Sequence, residues 1–201
     1  MNRQYDQTTM TNINNNNNMS SLNSRPLVRD YIATRLKKTG CNMLADSQEP
    51  TRLHQCMRLL GEEFEQRYRT VFQDLCGQLH LTQTTAYPAF FQIADEIFQD
   101  GVKWGRIVGL IAFGGALSVY CVEKEMPGLV ENIIEWETTY LDTQLAPWII
   151  QHGGWNGLVE FYEGGAEMRN EQLWPNVKMA LTAIGAVAGA GLTLGFLLSK
   201  S

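Results

Sequence analysis

Four cysteines, three histidines and two adjacent acidic pairs are the groups in this 201-residue chain with types suited to catalysis or metal binding. Cys41, Cys56, Cys76 and Cys121 are irregularly spaced, and no Cys-x-x-Cys pair occurs. His54, His80 and His152 are scattered, so no metal-ligand spacing emerges. Glu62-Glu63 and Asp95-Glu96 are neighbours in sequence, and neighbours on a helix point apart. They read as solvated faces. No Ser/His/Asp, Cys/His or phosphate-loop arrangement stands out. The expectation is a protein that is not an enzyme and takes no cofactor or metal. With no secretory signal at the polar N-terminus, the thiols read as reduced, buried packing residues in a cytosolic setting.

A different kind of chemistry is offered by Arg106. It precedes Ile107–Val122, about 16 residues without a charge. An arginine there needs a partner if it is buried in a core. The net charge of −5 and the lack of a basic stripe argue against nucleic-acid binding.

The elements that must position these residues are helices. Leu27, Val28, Tyr31, Ile32 and Leu36 share one helical face, with Arg29, Asp30, Arg35, Lys37 and Lys38 on the other. Pro26 suits that helix's first turn and Gly40 its end. Leu53, Met57, Leu60, Phe64 and Tyr68 mark a second amphipathic helix. It contains Gly61, which costs about 1 kcal/mol against Ala and points to a close approach by a neighbour. Tyr87–Phe98 and Lys103–Glu123 follow, then a helix opened by Pro127 that runs to Leu145, then Pro147–Gln151 and Trp155–Tyr162. No strand-like alternation competes, so the fold class is all-α. Ile107–Val122 is shorter than the roughly 20 residues of a membrane span. It reads as a central core helix wrapped by amphipathic ones.

The two ends differ from this body. Residues 1–23, with the run Asn14–Asn18, carry too little apolar surface to offset their ordering entropy and read as disordered. Residues 163–176 form a Gly-containing linker. Residues 177–198 enclose an uncharged stretch, Met179–Leu198, long enough to cross a bilayer, with Trp174 before it and Lys200 after it. The chain is expected to be tail-anchored, with its bulk facing the cytosol. Gly185, Gly189, Gly191 and Gly195 give small-xxx-small spacing, a weak signal for dimerisation.

Two stretches, GVKWGRIVGLIAFGGAL within 96–117 and PWIIQHGGWNGLVEFY at 147–162, resemble the BH1 and BH2 motifs of the Bcl-2 family of apoptosis regulators. QCMRLLGEEFEQRYR at 55–69 resembles BH3, and PLVRDYIATRLKKTG at 26–40 resembles BH4. The resemblance is strongest to the family's pro-survival members. It covers most of the body at 24–162, excludes the N-terminal tail, and matches the anchor only in kind. It implies a helical bundle around a central hydrophobic hairpin, with a surface groove that accepts an amphipathic BH3 helix. Pro-apoptotic partners would supply that helix, either Bax/Bak-like effectors or BH3-only proteins. The site implied is the mitochondrial outer membrane, or the endoplasmic reticulum or cytosol.

The same resemblance implies roles for particular residues. Arg106 would await a carboxylate of the incoming helix at the groove rim and form a charge-assisted pair with it. Gly105, without a side chain, would let the ligand backbone come close. Phe64, Arg67, Tyr68, Phe72, Leu75, Ile93, Ile97, Val108, Phe113 and Tyr162 match groove-lining positions, and Trp104 lies in the same motif. Glu96 and Asp100 match an acidic rim suited to basic ligand residues.

Some positions depart from the family pattern. Lys103 stands where Asn is expected and adds positive charge beside Arg106. Met57, the bulky Leu60 before Gly61, and Glu62 depart from the BH3 pattern, which argues against this chain donating its own BH3 helix. The loop between the first two helices is short. An alternative reading is a Bax/Bak-like effector that unwraps and permeabilises the membrane.

Overall fold

The computed structural model describes residues 22–44, 49–70 and 81–165, and over them the chain is helical with no strand. The helices are α1 (Arg25–Lys38), α2 (Arg52–Arg67), α3 (Ala86–Phe98), α4 (Trp104–Glu123), α5 (Leu129–Tyr140), α6 (Ala146–Gln151) and α7 (Trp155–Glu163). A π-helical turn, Leu141–Leu145, joins α5 to α6. Most of the expected tail and linker, and all of the expected anchor at 177–198, lie outside the described residues.

α4 is the centre of the bundle. It is apolar nearly all round, so it can be stable in water only when covered. α1, α2, α3 and α5 pack on it, and its residues from Gly105 to Gly115 are all buried. By length and composition α4 could cross a membrane, yet 78% of its most apolar window is buried inside the bundle. Side chains such as Ile111, Phe113 and Leu117 each stabilise the fold by about 1.5–3 kcal/mol through burial.

α1 begins with Pro26 in its first turn and stops at Gly40, whose φ of +84° favours glycine. Its expected apolar face is the buried one. Asp30 corrects the expectation of a fully solvated opposite face. It is 3% exposed, and Arg58 of α2 donates to both carboxylate oxygens at 2.9 and 2.5 Å. α1 and α2 lie side by side, so the flank of α1 that adjoins α2 is covered even where it is polar.

α2 starts at Thr51, whose N–H donates to His54 Nδ1 at 3.2 Å. His54 therefore serves the helix start. Gly61 has the close neighbour its position implied. A Cβ there would stand 2.6 Å from Tyr31 Cζ of α1. The same tyrosine ring lies against Gly115 of α4, where a Cβ would meet Cε1 at 2.8 Å. Tyr31 thus pins α1, α2 and α4 together, and two glycines make the room.

The helix expected from Pro127 to Leu145 is α5 from Leu129 to Tyr140. Beyond it the chain continues through the π-turn into α6 without a break. Pro147 fits in the first turn of α6, where its missing N–H costs nothing. Asp142 in the π-turn accepts hydrogen bonds from the Ser24 N–H (3.1 Å) and hydroxyl (2.5 Å), which ties the start of α1 to this corner. Gly153 and Gly154, with φ of +87° and +61°, turn the chain from α6 into α7.

Candidate functional site

The start of α4 is where the sequence placed its recognition chemistry. Gly101 has φ +98°, so the chain doubles back just before α4 begins. That turn brings two oxygens over the helix start. Arg106 Nη1 donates to the Gly101 carbonyl at 2.7 Å, and Nη2 donates to Asp100 Oδ2 at 3.3 Å. Arg106 is 3% exposed. The expectation that it stands vacant at a rim is therefore corrected: a buried guanidinium needs compensation, and the chain supplies it. Asp100 was expected to face basic ligand residues, and its carboxylate instead lies on Arg106. The two partners are unequal, because the Asp100 side chain is 70% exposed while that of Arg106 is 4% exposed. A carboxylate largely in water is a weak and replaceable partner.

Most of the described residues matched to a groove are buried. Phe64, Tyr68, Ile93, Ile97, Val108 and Phe113 are 4% exposed or less. They belong to the hydrophobic core cluster. Phe64 and Tyr68 contact ring to ring at 4.8 Å, and Phe113 meets Phe90 at 6.1 Å. Phe64 also packs on Gly109 of α4, where a Cβ would come within 3.0 Å of its ring. Gly105 is buried in the first turn of α4. Arg67 and Lys103 are exposed, and Glu96, Trp104 and Tyr162 are partly buried. Phe72 and Leu75 lie outside the described residues.

The two long motifs meet through an aromatic joint. Trp104 contacts Trp148 edge-on at 5.1 Å and Trp155 at 6.2 Å, and Trp148 stacks on His152 at 3.8 Å. Gly157 of α7 lets this happen, since a Cβ there would be 2.8 Å from Trp104 Cζ2. Tyr162 is tied to the start of α2, where Arg52 lies over its ring at 5.7 Å and bonds Glu163 at 2.9 Å. α3 has sparser backbone contact with α4 than α1, α2 or α5 has. α3 is held instead by ring contacts, Phe90 with Phe113 of α4, Tyr87 and Phe90 with Trp136 of α5, and Phe91 and Phe98 with Tyr140.

The remaining chemistry-bearing residues do not assemble. Among the described residues no cluster of His, Cys, Asp and Glu could hold a metal. Cys56 and Cys121 are free and buried, and burial pushes the Cys121 thiol up to about 11. Asp95 accepts from the Tyr140 hydroxyl at 3.0 Å, a structural tie between α3 and α5. Three features escaped the sequence reading: the Asp30–Arg58 pair, the Asp100 counter-ion, and Glu137. The last had a signal, because it interrupts the inward stripe Val130, Ile133 and Ile134 of α5, which Leu141 of the π-turn continues.

Comparison with known proteins places this architecture. The family description "Apoptosis regulator proteins, Bcl-2 family" matches residues 57–155. Apoptosis regulator R1 of Xenopus laevis is 41% identical over 186 residues, which is 90% of this chain and 81% of that protein. Bcl-2-like protein 1 of Homo sapiens is 46% identical over 167 residues, 81% of this chain and 70% of that protein. Bcl-2-like protein 1 of Gallus gallus is 49% identical over 150 residues, 74% of this chain and 64% of that protein. With a buried apolar helix at its centre and these relatives along most of its length, this chain belongs to the Bcl-2 family of apoptosis regulators.

Proposed function

We propose that the chain is a pro-survival regulator that captures BH3 helices of pro-apoptotic partners at the start of α4, and so blocks permeabilisation of the mitochondrial outer membrane. The observation that carries this reading is Arg106. It is buried, and its only charged partner among the described residues is a carboxylate that stands mostly in water. A ligand carboxylate can replace Asp100 there with better geometry and less exposure, which strengthens the pair. The ligand's apolar face would pack on Phe64, Tyr68, Ile93, Ile97 and Val108, which are buried in the hydrophobic cluster. Binding therefore requires these buried side chains to become accessible to the ligand. Lys103, exposed beside this start, adds attraction for an acidic ligand.

The inward face of α2 supports a receiver and not a donor. Met57, Leu60 and Phe64 are buried against the chain's own core, so offering that helix to another molecule would mean unfolding. The proposed location is the mitochondrial outer membrane facing the cytosol, held by residues 177–198. The endoplasmic reticulum and the cytosol are further sites to be tested with it.

Dye release from liposomes of mitochondrial lipid composition tests the proposal. The chain is expected to suppress leakage caused by a Bax-type effector and an activating BH3 peptide, and to cause none itself. Leakage by the chain with peptide alone would support the effector reading instead. The composition of α4 makes that reading worth an arm of the experiment.

A further inference from the structure

Midway along α4, far from Arg106 in sequence, a second ionisable group is buried under different conditions. Glu137 of α5 has no solvent exposure, and neither carboxyl oxygen has a hydrogen-bond partner among the described residues. Its carboxyl lies over Gly114 of α4. A Cβ on that glycine would stand 2.8 Å from the Glu137 Cδ and 3.0 Å from Oε1. The neighbouring Gly115 receives the Tyr31 ring of α1. Two adjacent glycines in the central helix thus accept a carboxyl from α5 and a ring from α1.

Next to Glu137 in sequence, the buried Thr138 hydroxyl also has no hydrogen-bond partner among the described residues, and the other polar groups around this seam are committed elsewhere. On α4, Ser118 donates its hydroxyl to the Gly114 carbonyl at 2.8 Å. On α1, the Tyr31 hydroxyl donates to Glu65 Oε1 of α2 at 2.7 Å, and Arg35 Nε bonds the same oxygen at 2.5 Å. Arg25 and Arg29 of α1 pair with Glu135 and Glu131 on the outer face of α5. No cation is paired with Glu137 among the described residues, and the nearby Tyr31 and Glu65 offer it no positive charge. Burial holds its carboxyl well above the ordinary carboxylate range.

We propose that Glu137 is a proton-operated latch on the seam between α1, α4 and α5. The neutral carboxyl fits the dry slot over Gly114 and the seam closes. The ionised carboxylate has no partner there, so it must turn out to water, and α5 lifts from α4 as it does. The latch acts on the cover of the one described helix with the length and composition of a membrane span. It does not rest on the assignment of the BH3 groove.

The direction follows from proton linkage. The closed form holds a proton that the opened form releases, so closure is favoured below the ordinary carboxylate range. That advantage is lost as pH rises towards the raised value of the closed form. The test compares the full chain with Glu137→Gln, an uncharged isostere, and with Glu137→Met, in case Gln alone disturbs packing.

Amide hydrogen exchange in α4 and α5 is followed from pH 5 to 8.5, with intrinsic exchange rates divided out. In the parent, the opening equilibrium is expected to rise by up to tenfold per pH unit within the window, as loss of one proton dictates. In both variants it should stay flat, with melting temperatures that fall less with pH. Parallel curves for parent and variants would overturn the latch. So would a parent that is most protected at alkaline pH.

Discussion

α4 carries a buried ionisable group against it at two places, and the two are treated in opposite ways. At its start, Arg106 is buried but has a carbonyl at 2.7 Å and a carboxylate that sits mostly in water. At its middle, Glu137 is buried and has no partner at all among the described residues. The first is an arrangement for exchange, because the partner can leave for water without being stranded. The second is an arrangement for closure, because nothing can replace solvent once the seam shuts. The walls differ in the same sense. The middle of α4 is gripped by α1, α2 and α5 through Tyr31 and three glycines, whereas α3 touches α4 more sparsely.

The largest expected effect comes from filling the tight region. Gly61→Leu drives a side chain into the Tyr31 ring, which also holds Gly115, so neither α1 nor α4 can give way. Overpacking of this kind costs about 1–3 kcal/mol or more, and a thermal melt should show a large loss of Tm. A melt within a degree or two of the parent would mean that this grip is softer than its geometry suggests.

Next in size is Arg106→Ala at the exchange end. It removes the charge on which a ligand carboxylate would settle, and loss of one partner of a buried pair costs about 2–5 kcal/mol of binding. Affinity for a BH3-type peptide is expected to fall by roughly 30-fold or more, with the helical circular dichroism unchanged.

Asp100→Asn should move affinity the other way by a smaller amount. The exposed competitor is worth about 0.2–1 kcal/mol, so a peptide bearing an aspartate at the pairing position should bind a few-fold more tightly. The gain should vanish when that aspartate is changed to Asn. A loss of affinity for both peptides would mean that Asp100 positions Arg106 and does not compete for it.

The smallest effect belongs to the outer face. Arg29→Ala breaks a pair with Glu131 in which both side chains are substantially exposed. Stability measured by denaturant should change by no more than about 0.5 kcal/mol. This variant shows that the larger effects are not a general response to lost charge.

The helices were legible in the sequence because most carry a periodic apolar face, the central one is apolar nearly all round, and several are bounded by a glycine or proline. Gly61 even announced a close neighbour, though not that the neighbour was Tyr31. Local pattern could not show which polar residues a second helix would cover. Asp30 lies on the polar side of α1 by periodicity, and only the placement of α2 makes it buried. The π-turn after Tyr140 left no mark, since a π-turn uses the same residues as the α-helix it interrupts. At the candidate site, the type and place of Arg106 could be read. Its counter-ion could not, because that depends on the turn at Gly101 folding Asp100 back over the helix. Glu137 was visible as a charge on an apolar stripe, and that break in pattern is the kind that marks a buried ionisable group.

Recognition at the start of α4 is proposed to run through Arg106 and Gly105. The most direct test is titration of a fluorescent BH3-type peptide into the parent, Gly105→Glu and Arg106→Ala, each checked for fold by circular dichroism. The parent is expected to bind saturably and both variants to lose binding, with the helical signal intact. Equal binding by all three would contradict it and move the recognition site away from the start of α4.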